Sequence, residues 1–415
     1  MSNLAIYKTK PKFVIDDNIV SVLAVIILSF TVIGDYVPGG ILILRGSICM
    51  LFALCIPQFT FKIKFERDLF KKSIIIFQTY CLISNFWSYN SSQSIQKGKM
   101  LIGIAIVILA LYHFYNKEKD VDKMLSVVMW CGYIVSIFVI IKYGYATIIM
   151  LLTGGIRISS DYINSNVIGM NASFSVFITA YYMMFHKFKI KYILVIPALL
   201  ATIVSGSRKA FIILSVGIMF LLLFKMLYFK DNKSIREIGK TILLLFVTIV
   251  GLIYLNKINA FALLISRMDQ ILLFLNGTDK TFHSLSDRSA LIDLGINAFH
   301  SSPLVGIGAD CIGFVNGPYF GQDYYYSHNN FVEMLANGGI IGFCLYYYIY
   351  VYIIFSLIKY RDFHNKEYIV CVIFAALKIV LDYAYVSYDS RVTYFIIALL
   401  YIEARKIKKN KIWVW

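Results

Sequence analysis

The sequence predicts an all-α, polytopic membrane protein of about twelve transmembrane helices. Of its 415 residues 59% are hydrophobic, and apolar runs of 16 to 22 residues recur along the whole length. Only 15% are charged, whereas soluble domains carry about 25%. Each run is about long enough to cross a bilayer core. The first dozen residues are polar and the first run lacks a small-residue cleavage site, so no cleavable signal is expected.

Spans are expected near 18–34, 38–56, 73–89, 99–115, 124–145, 167–186, 191–206, 210–229, 241–256, 339–358, 367–385 and 392–404. With both termini in the cytoplasm, the inward segments run from Lys8, Lys10 and Lys12 to Arg405, Lys406, Lys408, Lys409 and Lys411. Together they hold 27 of the 40 basic residues. The positive-inside rule thus accounts for a net charge of +17, and no nucleic-acid partner is implied. The seven cysteines are scattered singly, six of them in apolar runs and only Cys311 in a polar stretch. Neither a disulfide framework nor a thiolate metal site is indicated.

The whole chain, 1–415, reads as one integral-membrane domain whose single long outer loop is 257–327. Loops of that length without a role are uncommon. "INAFALLISRMDQILLFLNG" is apolar enough to lie on the membrane surface. In "SDRSALIDLGINAF", Leu291, Leu294, Ala298 and Phe299 fall at helical spacing behind a Ser286 or Asp287 cap. "SSPLVGIGADCIGF" is a Pro/Gly turn region.

Several polar residues are candidates for function. Arg288 falls in the first turn of the expected loop helix, where a cation opposes the dipole at a cost of about 0.3–1 kcal/mol. An anion would reverse that sign, and pairing with Asp287 or Asp293 is the plain alternative. Arg208 and Lys209, in "SGSRKAF", sit at a tight outer turn at headgroup height, and Arg157 follows the fifth span on the same side. Interfacial snorkelling is the plain reading there. Lys378 and Asp382 share a helix face at i, i+4 and can pair; they either mark a pathway or fix helix packing. Arg45, and Arg391 beside Asp389, are weaker cases of the same kind.

The stretch "SHNNFVEMLANGGIIGF", residues 327–343, sets Ser327, His328, Asn329 and Asn330 at the mouth of an apolar helix. If Ser327 caps it, His328 lies in the first turn, where the dipole disfavours the imidazolium. A neutral imidazole able to accept a proton results, although a lone interfacial histidine is more often a hydrogen-bonding residue. Gly338-Gly339 should separate this short helix from the span proper. No acidic pair occurs in an outer loop, and there is no HExxH, GxSxG or P-loop, so neither metal nor cofactor is expected.

Taken in order, "SGSRKAF", "DRSALIDLGINAFHSSPLVGIGADCIG" and "HNNFVEMLANGGIIGFCLYYY" resemble the successive motifs of the O-antigen ligase and Wzy-type polysaccharide polymerase superfamily. The resemblance implies a metal-independent, inverting glycosyl transfer on the outer face of the bacterial cytoplasmic membrane. The implied donor is an oligosaccharide on undecaprenyl diphosphate, and the acceptor is a hydroxyl of another glycan. By the same resemblance, Arg208 and Arg288 hold the diphosphate and His328 activates the acceptor. It also implies membrane lipids, a flippase and a chain-length regulator as partners. Asn329, Asn330 and Glu333 take no role from it.

The leading expectation is a polymerase of O-antigen, capsule or exopolysaccharide repeat units, with a ligase onto lipid A-core or another acceptor as the alternative. A flippase is the reading from another class; it should show internal repeats and ion-coupling residues at the midplane, where only Lys378 and Asp382 qualify. The topology is testable by labelling single cysteines. Positions 64, 188, 234 and 363 should react only from the cytoplasm, and 280 and 320 only from outside. Labelling of 280 from the cytoplasm would overturn the span count.

Overall fold

A computed structural model describes residues 17–56, 68–118, 120–154, 158, 164–229 and 283–412. All regular structure among them is helical. The longer elements are α1 (Asp17–Ile33), α2 (Gly40–Cys55), α3 (Leu69–Ile83), α4 (Ser91–Glu118), α5 (Val121–Tyr143), α6 (Tyr145–Gly154) and α7 (Ser165–Phe185). Then follow α8 (Val195–Ser205), α9 (Arg208–Tyr228), α10 (His283–Ser301), α11 (Ile312–Asn316), α12 (Asn330–Lys359), α13 (Lys366–Asp382) and α14 (Arg391–Ile412).

Each expected span within the described residues overlaps a helix; 241–256 lies outside them, as do Arg157 and residues 257–282 of the expected loop. Six helices (α1, α4, α5, α7, α9 and α12) are long and apolar enough to cross a membrane, so the protein is a polytopic α-helical membrane protein. Two helices among the described residues were not expected: α6, which starts behind Gly144, whose φ of 76° ends α5, and the short α11, which begins in the expected turn region.

Short polar residues start the helices. Asp68, Asp120, Asn164, Ser207, Asn329 and Asn365 each accept a hydrogen bond from a backbone N–H of the first turn, satisfying donors that have no partner within the helix. The bundle is built around α7 and α14. α7 packs on α5, α8 and α9 through small residues, as close-packed membrane helices do. A Cβ at Gly169 would lie 2.4 Å from Ser205 Oγ and 2.9 Å from Ser207 Cβ. That contact seats the Ser205-Gly206-Ser207 turn, and with it the start of α9, on α7. α14 is buried from Val392 to Ala404 and packs on α4, α5, α12 and α13.

One end of the bundle carries the candidate residues. There α12 is broken within its length: Gly339 has φ 60° and ψ −166°, a region closed to other residues. The loop 303–308 docks on the break. Ile307 and Gly308 N–H donate to the Ala336 and Asn337 carbonyls at 2.9 and 3.0 Å, and Ile340 and Ile341 N–H donate to Pro303 and Leu304 carbonyls at 2.9 and 3.1 Å. Tyr80 Oη reaches both Gly338 O, at 2.8 Å, and Val305 O, at 3.0 Å. At the other end, Asp68 joins α3 to Tyr112 and Arg405 at 2.6 and 2.9 Å.

The two adjacent glycines should therefore respond differently to substitution. A Cβ at Gly339 would meet Leu304 O at 2.4 Å as well as the forbidden backbone, whereas at Gly338 the nearest atom is 3.7 Å away. Gly339→Ala should destabilise by about 2–4 kcal/mol, and Gly338→Ala by less than about 1 kcal/mol. Thermal melts of the detergent-solubilised variants test this; equal melting temperatures would refute the docked-loop account.

Candidate functional site

The polar knot at 327–330 is held from three sides. Asn329, not Ser327, is the N-cap of α12; its Oδ1 accepts from Phe331 and Val332 N–H at 2.9 and 3.2 Å. Glu333, one turn on and fully buried, reaches back. Its Oε2 accepts from Ser327 N–H at 3.1 Å and Ser327 Oγ at 2.6 Å, and its Oε1 from Asn337 Nδ2 at 3.0 Å. Asn330 latches the knot to the loop before α14: its Oδ1 accepts from Ser387 and Tyr388 N–H at 2.8 and 3.1 Å, and its Nδ2 donates to Tyr347 Oη at 2.8 Å.

His328, between these fixed neighbours, adopts the left-handed conformation with φ 57°, at a cost of about 1–2 kcal/mol. It precedes the helix rather than lying in its first turn, which corrects the sequence expectation. The imidazole stands 4.1 Å from the Tyr326 ring and 5.6 Å from that of Tyr325, centre to centre. Its Nδ1 is buried and has no hydrogen-bond partner among the described residues. Burial, then the Lys209 and Arg288 cations, pushes the His328 pKa down to about 3. The expected direction holds, but desolvation and neighbouring charge produce it, not the helix dipole.

Arg208 and Lys209 are the first two residues of α9, behind the Ser207 cap. Arg208 is half-buried. Lys209 is only 5% exposed, with its Nζ 5.1 Å from the Tyr385 ring centre, and of the two cations its charge acts more strongly on His328. Arg288 comes from α10, which packs on α12. That helix begins at His283, so Arg288 stands in the second turn instead of the first, where the dipole acts less strongly. The fold thus brings together His328, Lys209 and Arg288 from three elements separated in sequence.

Lys378 and Asp382 do pair, and the pair is internal. Lys378 Nζ also donates to Ser387 Oγ at 2.8 Å, Ser387 Oγ donates to Asp382 Oδ1 at 2.6 Å, and Tyr347 Oη donates to Asp382 Oδ2 at 3.3 Å. The network shares Ser387 and Tyr347 with Asn330, so it supports the knot from below. A second network escaped the sequence reading. Lys97 of α4 bridges Asp310 and Asp389 at 3.3 and 2.6 Å. Asp310, itself left-handed with φ 62°, also accepts from Tyr324 and Tyr388 Oη at 2.9 and 3.2 Å. An isolated lysine at the edge of an apolar run and an aspartate within "GIGADCIG" were the available signals; nothing in the sequence joins them.

A cavity of about 390 Å³ is bounded by α1, α4, α7, α13 and α14, and His328 is not among its lining residues. Two residues border both spaces. Tyr385 lines the cavity and carries Lys209 over its ring; Asn164 lines it and hydrogen-bonds the Tyr326 hydroxyl.

Residues 193–347 match the family model described as O-antigen ligase. The match supports the O-antigen ligase/Wzy superfamily for this stretch. The match spans Arg208, Lys209, Arg288, His328 and Glu333, and it ends before the Lys378–Asp382 pair and Arg391. A search of curated proteins found no match. The apolar helices make this a multi-pass membrane protein, and the O-antigen ligase match supports a glycan-transferring type.

The depressed His328 pKa has a measurable consequence. The unfolded chain protonates His328 near pH 6.5, but the folded protein does so only near pH 3. Between those values the unfolded state binds more protons, so stability falls as pH falls below 6.5. From pH 6.5 to 5 the His328 contribution should approach about 2 kcal/mol. The acid-induced drop in melting temperature should be smaller in His328→Gln than in the natural protein; an identical drop would show that His328 titrates normally.

Proposed function

We propose that the protein transfers a glycan from undecaprenyl diphosphate to a sugar hydroxyl at the site between His328, Lys209 and Arg288. The observation that carries this is the His328 imidazole, its buried Nδ1 without a hydrogen-bond partner among the described residues and under the charge of Lys209 and Arg288, inside the stretch that matches the O-antigen ligase family. The end of the bundle holding the site faces outward in a twelve-span topology with cytoplasmic termini; the distribution of basic residues supports that orientation. Residues 257–327 form its outer loop.

Arg208, Lys209 and Arg288 bind the diphosphate. Arginine offers two oxygens a planar fork, and buried Lys209 adds a charge little screened by water. His328 takes the proton of the acceptor hydroxyl as its oxygen attacks the anomeric carbon. The carbon–oxygen bond to the diphosphate breaks on the opposite face, inverting the centre; its electron pair leaves on the diphosphate oxygen, and the negative charge so gained stays with the cations. A base with a pKa near 3 is weak. Diphosphate bound between Lys209 and Arg288 offsets the positive field on His328, so the donor itself raises the basicity of the imidazole. Glu333, whose oxygens accept from Ser327 and Asn337, holds the loop.

We favour a polymerase that joins repeat units; the family description favours a ligase. Purified protein given lipid-linked repeat units should yield a ladder of longer products if it polymerises, and a single addition to a separate acceptor if it ligates. Donor-lipid affinity and turnover should also separate by residue. His328→Ala should lower turnover by about 10²–10⁴-fold with donor binding largely intact, while Arg208→Ala and Arg288→Lys should weaken binding or leaving-group stabilisation. Near-normal turnover in folded His328→Ala would remove the base assignment, and a collapse of donor affinity in that variant alone would make His328 a phosphate ligand.

A further inference from the structure

The cavity that Tyr385 and Asn164 line has in its wall a cation that the transfer step does not use. Arg391 opens α14 at the cavity wall. Its Nη1 donates to Thr31 Oγ1 at 3.2 Å, while its buried Nε has no hydrogen-bond partner among the described residues. The other wall charges are accounted for. Lys378 is paired with Asp382 and Asp389 with Lys97, and Asp35 lies at the exposed rim. No ion pair to Arg391 occurs among the described residues.

A guanidinium drawn partly out of water without a counter-ion is costly. Its open donors match the oxygens of a carboxylate or phosphate, with which charge-assisted bonds are roughly twice as strong as neutral ones. The rest of the wall suits a sugar: the Asn171 amide and Ser387 hydroxyl can meet ring hydroxyls, and Phe174 and Tyr385 offer apolar faces. A volume of about 390 Å³ is near the lower end of ligand pockets, enough for a short saccharide.

We propose that this cavity is a subsite for an acidic sugar of the glycan acceptor, with Arg391 gripping its carboxylate or phosphate. This rests on the glycan-transfer reading and narrows it to an anionic repeat unit. Because Tyr385 and Asn164 border both spaces, a saccharide anchored at Arg391 can extend a neighbouring hydroxyl toward His328.

The test is saturation-transfer NMR on full-length protein in phosphatidylcholine nanodiscs. The probes are a glucuronate-containing disaccharide and its carboxyl-reduced, neutral counterpart. The acidic disaccharide should bind about tenfold more tightly, and the preference should shrink at high salt. Arg391→Gln should abolish the preference without weakening the neutral sugar. If that variant fails to fold, Arg391→Lys carries the test, since it keeps the charge but loses the fork and should reduce the preference.

His328→Ala should retain the preference, because the anion is held elsewhere. Equal binding of the two disaccharides, or a preference untouched in folded Arg391 variants, would overturn the proposal. So would competition by phosphatidylglycerol in the nanodisc, which would make the anion a lipid headgroup. A preference that depends on Arg391 in a protein that transfers no glycan would leave the subsite standing and remove the functional reading. Observed transfer with equal binding of the two sugars would remove the subsite alone.

Discussion

The break in α12 at Gly339 sets a constraint that the rest of the site end obeys. Unpaired backbone groups cannot be left in an apolar bundle, so every N–H and carbonyl released by the break needs a partner. Residues 303–308 supply them, with Tyr80 bridging the two strands of chain. Once that loop is docked, Asp310 has a fixed address, and Lys97, Tyr324 and Tyr388 converge on it. The position of the loop before α14 follows, because Tyr388 and Ser387 are also tied to Asn330. A single non-helical glycine thereby couples four segments far apart in sequence.

His328 benefits from that rigidity. A left-handed histidine is a strained one, and it persists because its neighbours are over-determined: Asn329 by the helix start, Ser327 by the buried Glu333 carboxylate. The strain turns the imidazole toward Tyr326 and into the field of Lys209 and Arg288. The tyrosines supply desolvation and the cations supply repulsion, and both act against the imidazolium. An anion reverses only the second influence, which makes the protonation state of His328 responsive to what binds beside it.

The buried charges divide by whether they have a partner. Lys378 with Asp382, and Lys97 with Asp310 and Asp389, are closed networks that also satisfy hydroxyls and amides. Removing one member of such a set leaves the other charge uncompensated, so these groups hold helices in register. Arg391 differs, with one hydroxyl partner and a buried Nε left open. Ionisable residues inside an apolar bundle are thus of two kinds here, and composition does not separate them.

The sequence by itself determined the class of protein and the position of most helices among the described residues, because crossing a bilayer demands long apolar helices and leaves a periodic trace. It also determined the turns: Gly206 between two serines, and Gly338-Gly339 after a polar start, are backbone requirements written in single residues. His328, Arg208 and Arg288 were legible as ordered motifs. Their surroundings were not. That Asn329 rather than Ser327 caps α12, that Lys209 acts more strongly than Arg288 on His328, and that Asp310 meets Asp389 through Lys97 depend on packing between segments tens to hundreds of residues apart. Local propensity fixes where a helix begins only to within a turn. Which buried charges meet is decided by the tertiary fold, since a charge placed in an apolar interior takes whatever partner the packing brings within reach.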